Sequence, residues 1–369
     1  MLSFDQMFCQ APSVNLNFSR DGSVTACCYN RKFRLGSYPA STIQQIWDGA
    51  PIQELRSLLN RSDLSKGCDL CREQLEAGNF AGVRARFFDP VWFTERASQE
   101  EEILHPKMLE FELANTCNLE CTMCSGHFSS RIRRNREGLP PLPMVYDDAF
   151  VEQLRPFLAR LEWAKFLGGE PFLIPLYYRI WDLISAVNPK IRSVITTNGT
   201  VLNDRIKDVL ATLRPSLVLS VDSLKRETYE EIRRPARFDR LTENLAFFIT
   251  FARRHDLRLD FAVCPLRANW RELPALVSFC NVNELPIFFN TVVWPPELAL
   301  KTLPSEELKT IVAELGQSRM VSGSPRQSEA NRQAFSELLS QLAAWSAPSA
   351  TIGRELTPAS AFTMVPTAP

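Results

Sequence analysis

The sequence has 369 residues, and at roughly 150 residues per domain this predicts one large unit with a smaller one beside it. Hydrophobic residues make up 45% and charged residues 23%, as in ordinary soluble globular proteins. Lys and Arg total 42 against 42 Asp and Glu, and this zero net charge argues against a partner bound through bulk nucleic-acid electrostatics.

Met1 to Gln10 has no basic region followed by an apolar stretch, so no signal peptide is read there. No run approaches ~18 apolar residues, so no membrane-spanning helix is expected. A cytoplasmic, reducing location follows, in which structural disulfides are disfavoured. The unusual number is ten cysteines, eight of them before residue 125. Clustered cysteines in such a chain read as metal or redox sites.

The first of these is Cys9. Alternating apolar residues around Asp21-Gly22, within residues 15–25, predict a β-hairpin. The hairpin would bring Cys9 close to Cys27, with Cys28 beside it. Helices are predicted over 42–48 and 51–59, the second with Ile52, Leu55, Leu58 and Leu59 on one face. Cys68-x2-Cys71 follows and would close the site from a later helix. On spacing alone this set suits either a structural zinc ribbon or an iron–sulfur cluster. A connection over 81–106 holds Arg84, Arg86 and the acidic run 100–102, read as solvated surface.

From Lys107 the pattern becomes strands in alternation with helices. Leu109, Phe111 and Leu113 alternate with Glu110 and Glu112, a strand ending just before Cys117. An amphipathic helix is predicted over 147–161, with a kink at Pro156. Further strands are predicted over 163–167, 192–196, 217–221, 259–263 and 286–292. Helices are predicted near 175–187, 203–211, 226–233, 239–255 and 270–281, the last opened by a capping box of Asn269 with Glu272. This alternation predicts a parallel sheet with too few units for a closed eight-stranded barrel. The barrel unit is expected over 107–321. A helix over 327–345 and a disordered Pro/Ser/Thr/Ala tail are expected in 322–369.

In such folds chemistry collects at the carboxyl ends of the strands. Here those ends carry Cys117-x3-Cys121-x2-Cys124, Gly168-Gly169-Glu170-Pro171, Thr197-Asn198-Gly199, Ser220-Val221-Asp222 and Cys264-Pro265. Three thiolates in one short loop suit a [4Fe-4S] cluster with one iron left open. His127 lies three residues on, and reads either as a fourth ligand or as a solvated loop histidine. Arg131, Arg133, Arg134 and Arg136 read either as a solvated loop or as an entrance for an anionic substrate. Cys264 and Cys280 read as small core residues.

Taken together these motifs resemble the radical S-adenosylmethionine (SAM) superfamily over residues 107–292. The resemblance implies an α/β fold, a partial (β/α)6 TIM-like barrel. It implies that Cys117, Cys121 and Cys124 ligate three irons while the fourth chelates SAM. Gly168, Gly169 and Glu170 would hold the SAM amino group, and Arg233 its carboxylate. Asn198, Ser220 and Asp222 would lie near the ribose or methionyl part, and Met123 would wall the adenine. The first 80 residues resemble the SPASM/twitch auxiliary-cluster domain, through Cys9, Asp21-Gly22, Cys27, Leu35-Gly36, Ile46-Trp47 and Cys68-x2-Cys71. That implies a small α+β iron–sulfur domain before the barrel, with a second [4Fe-4S] cluster on Cys9, Cys27, Cys68 and Cys71. Cys28 is the alternative to Cys27.

The implied activity is reductive cleavage of SAM to a 5′-deoxyadenosyl radical, which takes hydrogen from a substrate carbon. A ribosomally made peptide is the expected substrate, with a separate leader-binding protein and a reductase or flavodoxin-type electron donor as partners. A radical SAM dehydrogenase of a sugar or aminocyclitol, and a non-catalytic metal-binding protein, are the alternatives. Cys264 at a strand end is the candidate for returning hydrogen to a substrate radical.

Overall fold

The computed structural model describes residues 9–76, 83–88, 105–292 and 294–347. Most of the expected connection over 81–106, its acidic run, and the tail beyond 347 lie outside the described residues.

The expected hairpin forms from β1 (Asn15–Ser19) and β2 (Ser23–Thr25), paired antiparallel. Gly22 makes the turn at φ +82°, and a Cβ there would stand 2.3 Å from the Tyr38 carbonyl oxygen. A short β3 (Gly36–Ser37) adds to β2. The six expected barrel strands follow as β4 (Met108–Glu112), β5 (Trp163–Phe166), β6 (Arg192–Thr197), β7 (Ser216–Ser220), β8 (Leu259–Val263) and β9 (Ile287–Phe289). All neighbours from β4 to β9 pair in parallel, with helices between them. The connecting helices are Asp148–Leu158, Pro175–Val187, Asp204–Leu213, the pair Arg226–Ile232 and Phe238–His255, and Leu273–Val282.

The hairpin is built onto the barrel. β1 pairs in parallel with β4 from Asn15↔Met108 to Ser19↔Glu112, giving one nine-stranded sheet in the order β3-β2-β1-β4-β5-β6-β7-β8-β9. Phe18 stacks on Phe111 at 5.8 Å between ring centroids, and Phe111 stacks on Phe166 at 5.2 Å, so one core runs across the junction. All five residues of β4 are buried, the two glutamates included.

At the far edge, the helix Pro325–Ser346 packs along β9. Its buried Asn331 accepts from the Ile287 N–H at 3.1 Å and donates to Asn281 and Leu285. The barrel thus stays open, and a helix covers the edge strand. A helix over Ser305–Gly316, which the sequence reading did not include, packs against it through Leu308, Ile311 and Leu315. Pro156 lies within the helix Asp148–Leu158, which carries on to Leu158.

One local expectation is corrected. Asn269 does not cap a helix: no side-chain cap bond forms, and a 3-10 turn over Trp270–Glu272 precedes the helix. Its Nδ2 donates to the carbonyls of Asp222 (2.8 Å) and Cys264 (3.0 Å), and its Oδ1 accepts from the Leu266 N–H (2.8 Å). Buried carbonyls at two strand ends need donors, and that need outweighs capping.

Candidate functional site

The loop after β4 is pinned on both sides. The Asn115 side chain donates to the Gly126 carbonyl at 2.8 Å, and Ser129 Oγ donates to that of Leu119 at 2.6 Å. The Cys117 N–H donates to Ser130 Oγ at 3.2 Å, and the Thr122 N–H donates to the Ile232 carbonyl at 2.8 Å. Held in this way, Cys117, Cys121 and Cys124 line one cavity of about 190 Å3. Burial pushes all three thiols up, Cys124 to about 12. As thiols they are inert, so binding of iron is what would take their protons.

The arginines after the loop sit on or beside a short helix, Ser130–Asn135. Arg131 pairs with Glu120 at 2.7 Å, Arg133 donates to the Pro140 carbonyl, and Arg136 donates to the Cys121 carbonyl at 3.4 Å. None of Arg131, Arg133, Arg134 and Arg136 lines the cavity. His127 does not line the cavity either. Burial, then Arg20 and Arg31, push it down to about 4, so it stays neutral.

Gly168 and Gly169 line the cavity, and their lack of side chains has a visible cause. Gly168 has φ +118°, and a Cβ there would meet the Ala114 carbonyl oxygen at 2.7 Å. A Cβ on Gly169 would come within 2.2 Å of the Thr116 oxygen. The glycines let this turn lie flat against the backbone that leads into the cysteine loop. Glu170 is buried beside this turn and does not itself line the cavity. Its buried carboxylate accepts from Thr197 Oγ1 (2.8 Å), the Asn198 N–H (2.8 Å) and the Phe172 N–H (3.2 Å), locking β5 to β6. Burial pushes it up to about 7.

Asn198, Ser220, Arg233, Met123 and Cys264 all line the cavity. Asn198 donates to Asn118 Oδ1 at 3.0 Å, tying β6 to the cysteine loop. Asp222 stands behind the wall. It accepts from the Cys264 N–H at 2.8 Å and pairs with Arg233 at 2.7 Å. Burial works against the Arg233 charge, but Asp222 and Cys121 outweigh it and raise the guanidinium further. Cys264 is buried, and that burial holds its thiol protonated. Cys280 is fully buried in the core.

Cys9, Cys27, Cys68 and Cys71 line a second, small cavity, whereas Cys28 faces the large one. Around the four run N–H···S contacts: Asn30 N–H to Cys27 (3.4 Å), Asn30 Nδ2 to Cys68 (3.5 Å), and the Arg84 and Ala85 N–H groups to Cys71. None of the ten cysteines is in a disulfide. No group of three or more His, Cys, Asp or Glu side chains among the described residues could hold a single metal ion. A cluster asks for a different arrangement, since each thiolate takes its own iron. Two thiol-lined cavities, one edged by glycines and strand-end polar groups, fit such a pair of cofactors.

The sequence reading missed the buried charges beside both cavities. Glu112 lines the large one and pairs with Arg20 at 2.7 Å and Arg31 at 2.8 Å. Glu110 pairs with Arg84 and Lys165. The available signal was two glutamates in a strand whose neighbours are all large and apolar.

Residues 111–280 match the radical SAM superfamily, and residues 9–73 match the SPASM iron–sulfur cluster-binding domain. The chain thus carries a radical SAM domain with a SPASM domain before it. As a radical SAM protein it uses SAM with a [4Fe-4S] cluster, and the SPASM domain binds a further iron–sulfur cluster. A GTP 3′,8-cyclase of Chlorobaculum tepidum is 28% identical over 181 residues, 48% of this chain and 51% of that protein. The enzyme of the same name from Synechococcus elongatus is 29% identical over 185 residues, 50% of this chain and 54% of that protein. The chain thus spans about half the length of the curated relatives it matches. Among solved structures, Streptococcus suis SuiB bound to S-adenosylmethionine is 15% identical with a TM-score of 0.43, over 74% of this chain and 66% of that chain. Among the described residues no helix is long and apolar enough to cross a membrane.

Proposed function

We propose that this radical SAM enzyme takes a hydrogen atom from a carbon of a peptide held in the large cavity. The carrying observation is that both units line that one cavity: Cys117, Cys121 and Cys124 from the barrel, and Cys28, Tyr29 and Arg31 from the SPASM region. When bound, SAM supplies the 5′-deoxyadenosyl radical after one-electron reduction.

In this reading Cys117, Cys121 and Cys124 hold three irons, and Cys9, Cys27, Cys68 and Cys71 hold the auxiliary cluster. The backbone of Gly168 and Gly169 borders the SAM amino group, with Asn198 and Ser220 beside the ribose and methionyl part. Arg233 meets the SAM carboxylate, and Asp222 orients Arg233. Glu170 acts indirectly by fixing Asn198. Cys264 keeps its hydrogen, the state that returning it to a substrate radical requires. A leader-binding protein and a flavodoxin-type donor complete the system.

The charges of the cavity support a peptide side chain over a nucleoside triphosphate. Arg31 and Arg233, the cations lining it among the described residues, are each paired with a carboxylate, so several phosphates would meet few uncommitted partners. The similarity to GTP 3′,8-cyclases favours the second reading, a nucleotide or other small polar substrate.

The test is anaerobic reconstitution, with about eight irons expected per chain from two cubane clusters. Co-expression with short peptides from neighbouring genes should give a mass change that needs SAM and reductant. Replacing Cys117, Cys121 and Cys124 by Ala should abolish 5′-deoxyadenosine. Conversion of GTP without any peptide would replace the peptide reading with the nucleotide one.

A further inference from the structure

Side chains alternate along a strand, so Glu110 and Glu112 share one face of β4. Glu110 Oε1 accepts from Arg84 Nη2 at 2.8 Å and stands 3.5 Å from Lys165 Nζ. Its Oε2 accepts from Asn15 Nδ2 at 3.0 Å. The side chains of Arg84, Glu110 and Lys165 are 2%, 0% and 0% exposed. Two cations therefore face one carboxylate in the protein interior. Arg84 lies 3.6 Å from the Phe87 ring centre, and its Nε and Nη1 have no hydrogen-bond partner among the described residues. Lys165 Nζ is 5.1 Å from the same ring.

A buried charge is tolerated only when it is compensated. The surplus here calls for an anion, and the adjoining cavity is where one would bind. Arg84 lines it together with Cys9, Cys27, Cys68 and Cys71, and its backbone N–H donates to the Cys71 sulfur. A cluster on four thiolates is anionic, and one-electron reduction adds a further negative charge.

We infer that the Arg84–Glu110–Lys165 group is the fixed counter-charge of the auxiliary cluster and sets its reduction potential. The inference rests on the reading that those four cysteines hold the cluster. A surplus cation stabilises the reduced form more than the oxidised form, so it holds the potential up. These three side chains act through the field at the cluster; they are positioning residues. They make the auxiliary cluster a better electron acceptor than its thiolates alone would.

The full chain, reconstituted with iron and sulfide, is titrated electrochemically and followed by electron paramagnetic resonance. Added SAM shifts the barrel-cluster signal, so the unshifted signal belongs to the auxiliary cluster. Lys165→Met is expected to lower the reduced-to-oxidised ratio about tenfold at fixed potential, about 59 mV for one electron. Glu110→Gln is expected to raise it by a similar factor, and Lys165→Arg, which keeps the charge, to match the wild type. A packing defect alone would not move two neighbouring variants in opposite directions. Full iron loading with unmoved potentials in Lys165→Met and Glu110→Gln overturns the inference alone. A wild-type chain with about four irons and one signal overturns the cluster reading and the inference together.

Discussion

Asp222 accepts from the Cys264 backbone and pairs with Arg233, and neither charged side chain is more than 6% exposed. Removing one partner of such a pair leaves a buried charge alone. Asp222→Asn is expected to cost about 3–5 kcal/mol, read as a lower urea midpoint. Glu170 differs because burial outweighs its hydrogen bonds and the weaker pull of Arg233. Its carboxyl is raised from an ordinary 4.5 to about 7, so the folded chain holds that proton more tightly than the unfolded chain. Its contribution is full below about pH 4.5 and is lost as pH rises through about 7. The stability advantage of wild type over Glu170→Gln should therefore shrink between about pH 5 and about pH 8. A constant difference across that range would refute the shifted carboxyl. Motif order brought both acids to the strand ends. It did not say that they turn away from the cavity, because that depends on which neighbours offer donors.

The elements of the site are fastened to one another at their ends. Asn269 joins the ends of β7 and β8 with three hydrogen bonds, and Glu272 accepts from Ser223 and Thr228. Asn269→Ala leaves two buried carbonyls and one N–H without that partner. A loss of about 1–3 kcal/mol is expected by chemical denaturation, with the barrel retained by circular dichroism. The sequence pattern Asn-x-x-Glu is that of a helix cap, and it was legible as one. A cap is a local device, whereas the carbonyls of Asp222 and Cys264 arrive from other strands. Local spacing carries no information about them. The strands themselves were readable because each is a short apolar run set between amphipathic helices. The short Ser130–Asn135 helix was not, since its arginines give no apolar face.

At the scale of the molecule, the SPASM hairpin and the barrel share a sheet and a core. A chain beginning at residue 105 would expose the β4 edge and the ring of Phe111, both now covered by β1 and Phe18. Such a truncation is expected to be insoluble or to lack cooperative unfolding, while the longer chain melts in one transition. A soluble, cooperatively folding truncation would show that the barrel is independent of its N-terminal strands.

The sequence by itself determined the parallel strands, their order of motifs, the three-cysteine loop and the family. These rest on local periodicity and fixed spacing, which survive in one dimension. Only the tertiary structure decided that Cys27 lines the small cavity with Cys9, Cys68 and Cys71 while Cys28 faces the large one. It also decided that Glu110 and Glu112 are buried among cations and not turned to water. The reason is that alternation fixes which side chains share a face of a strand. Whether that face meets solvent, a cofactor or a second layer depends on what packs there, and here β1 and the segment around Arg84 come from residues far from β4 in sequence.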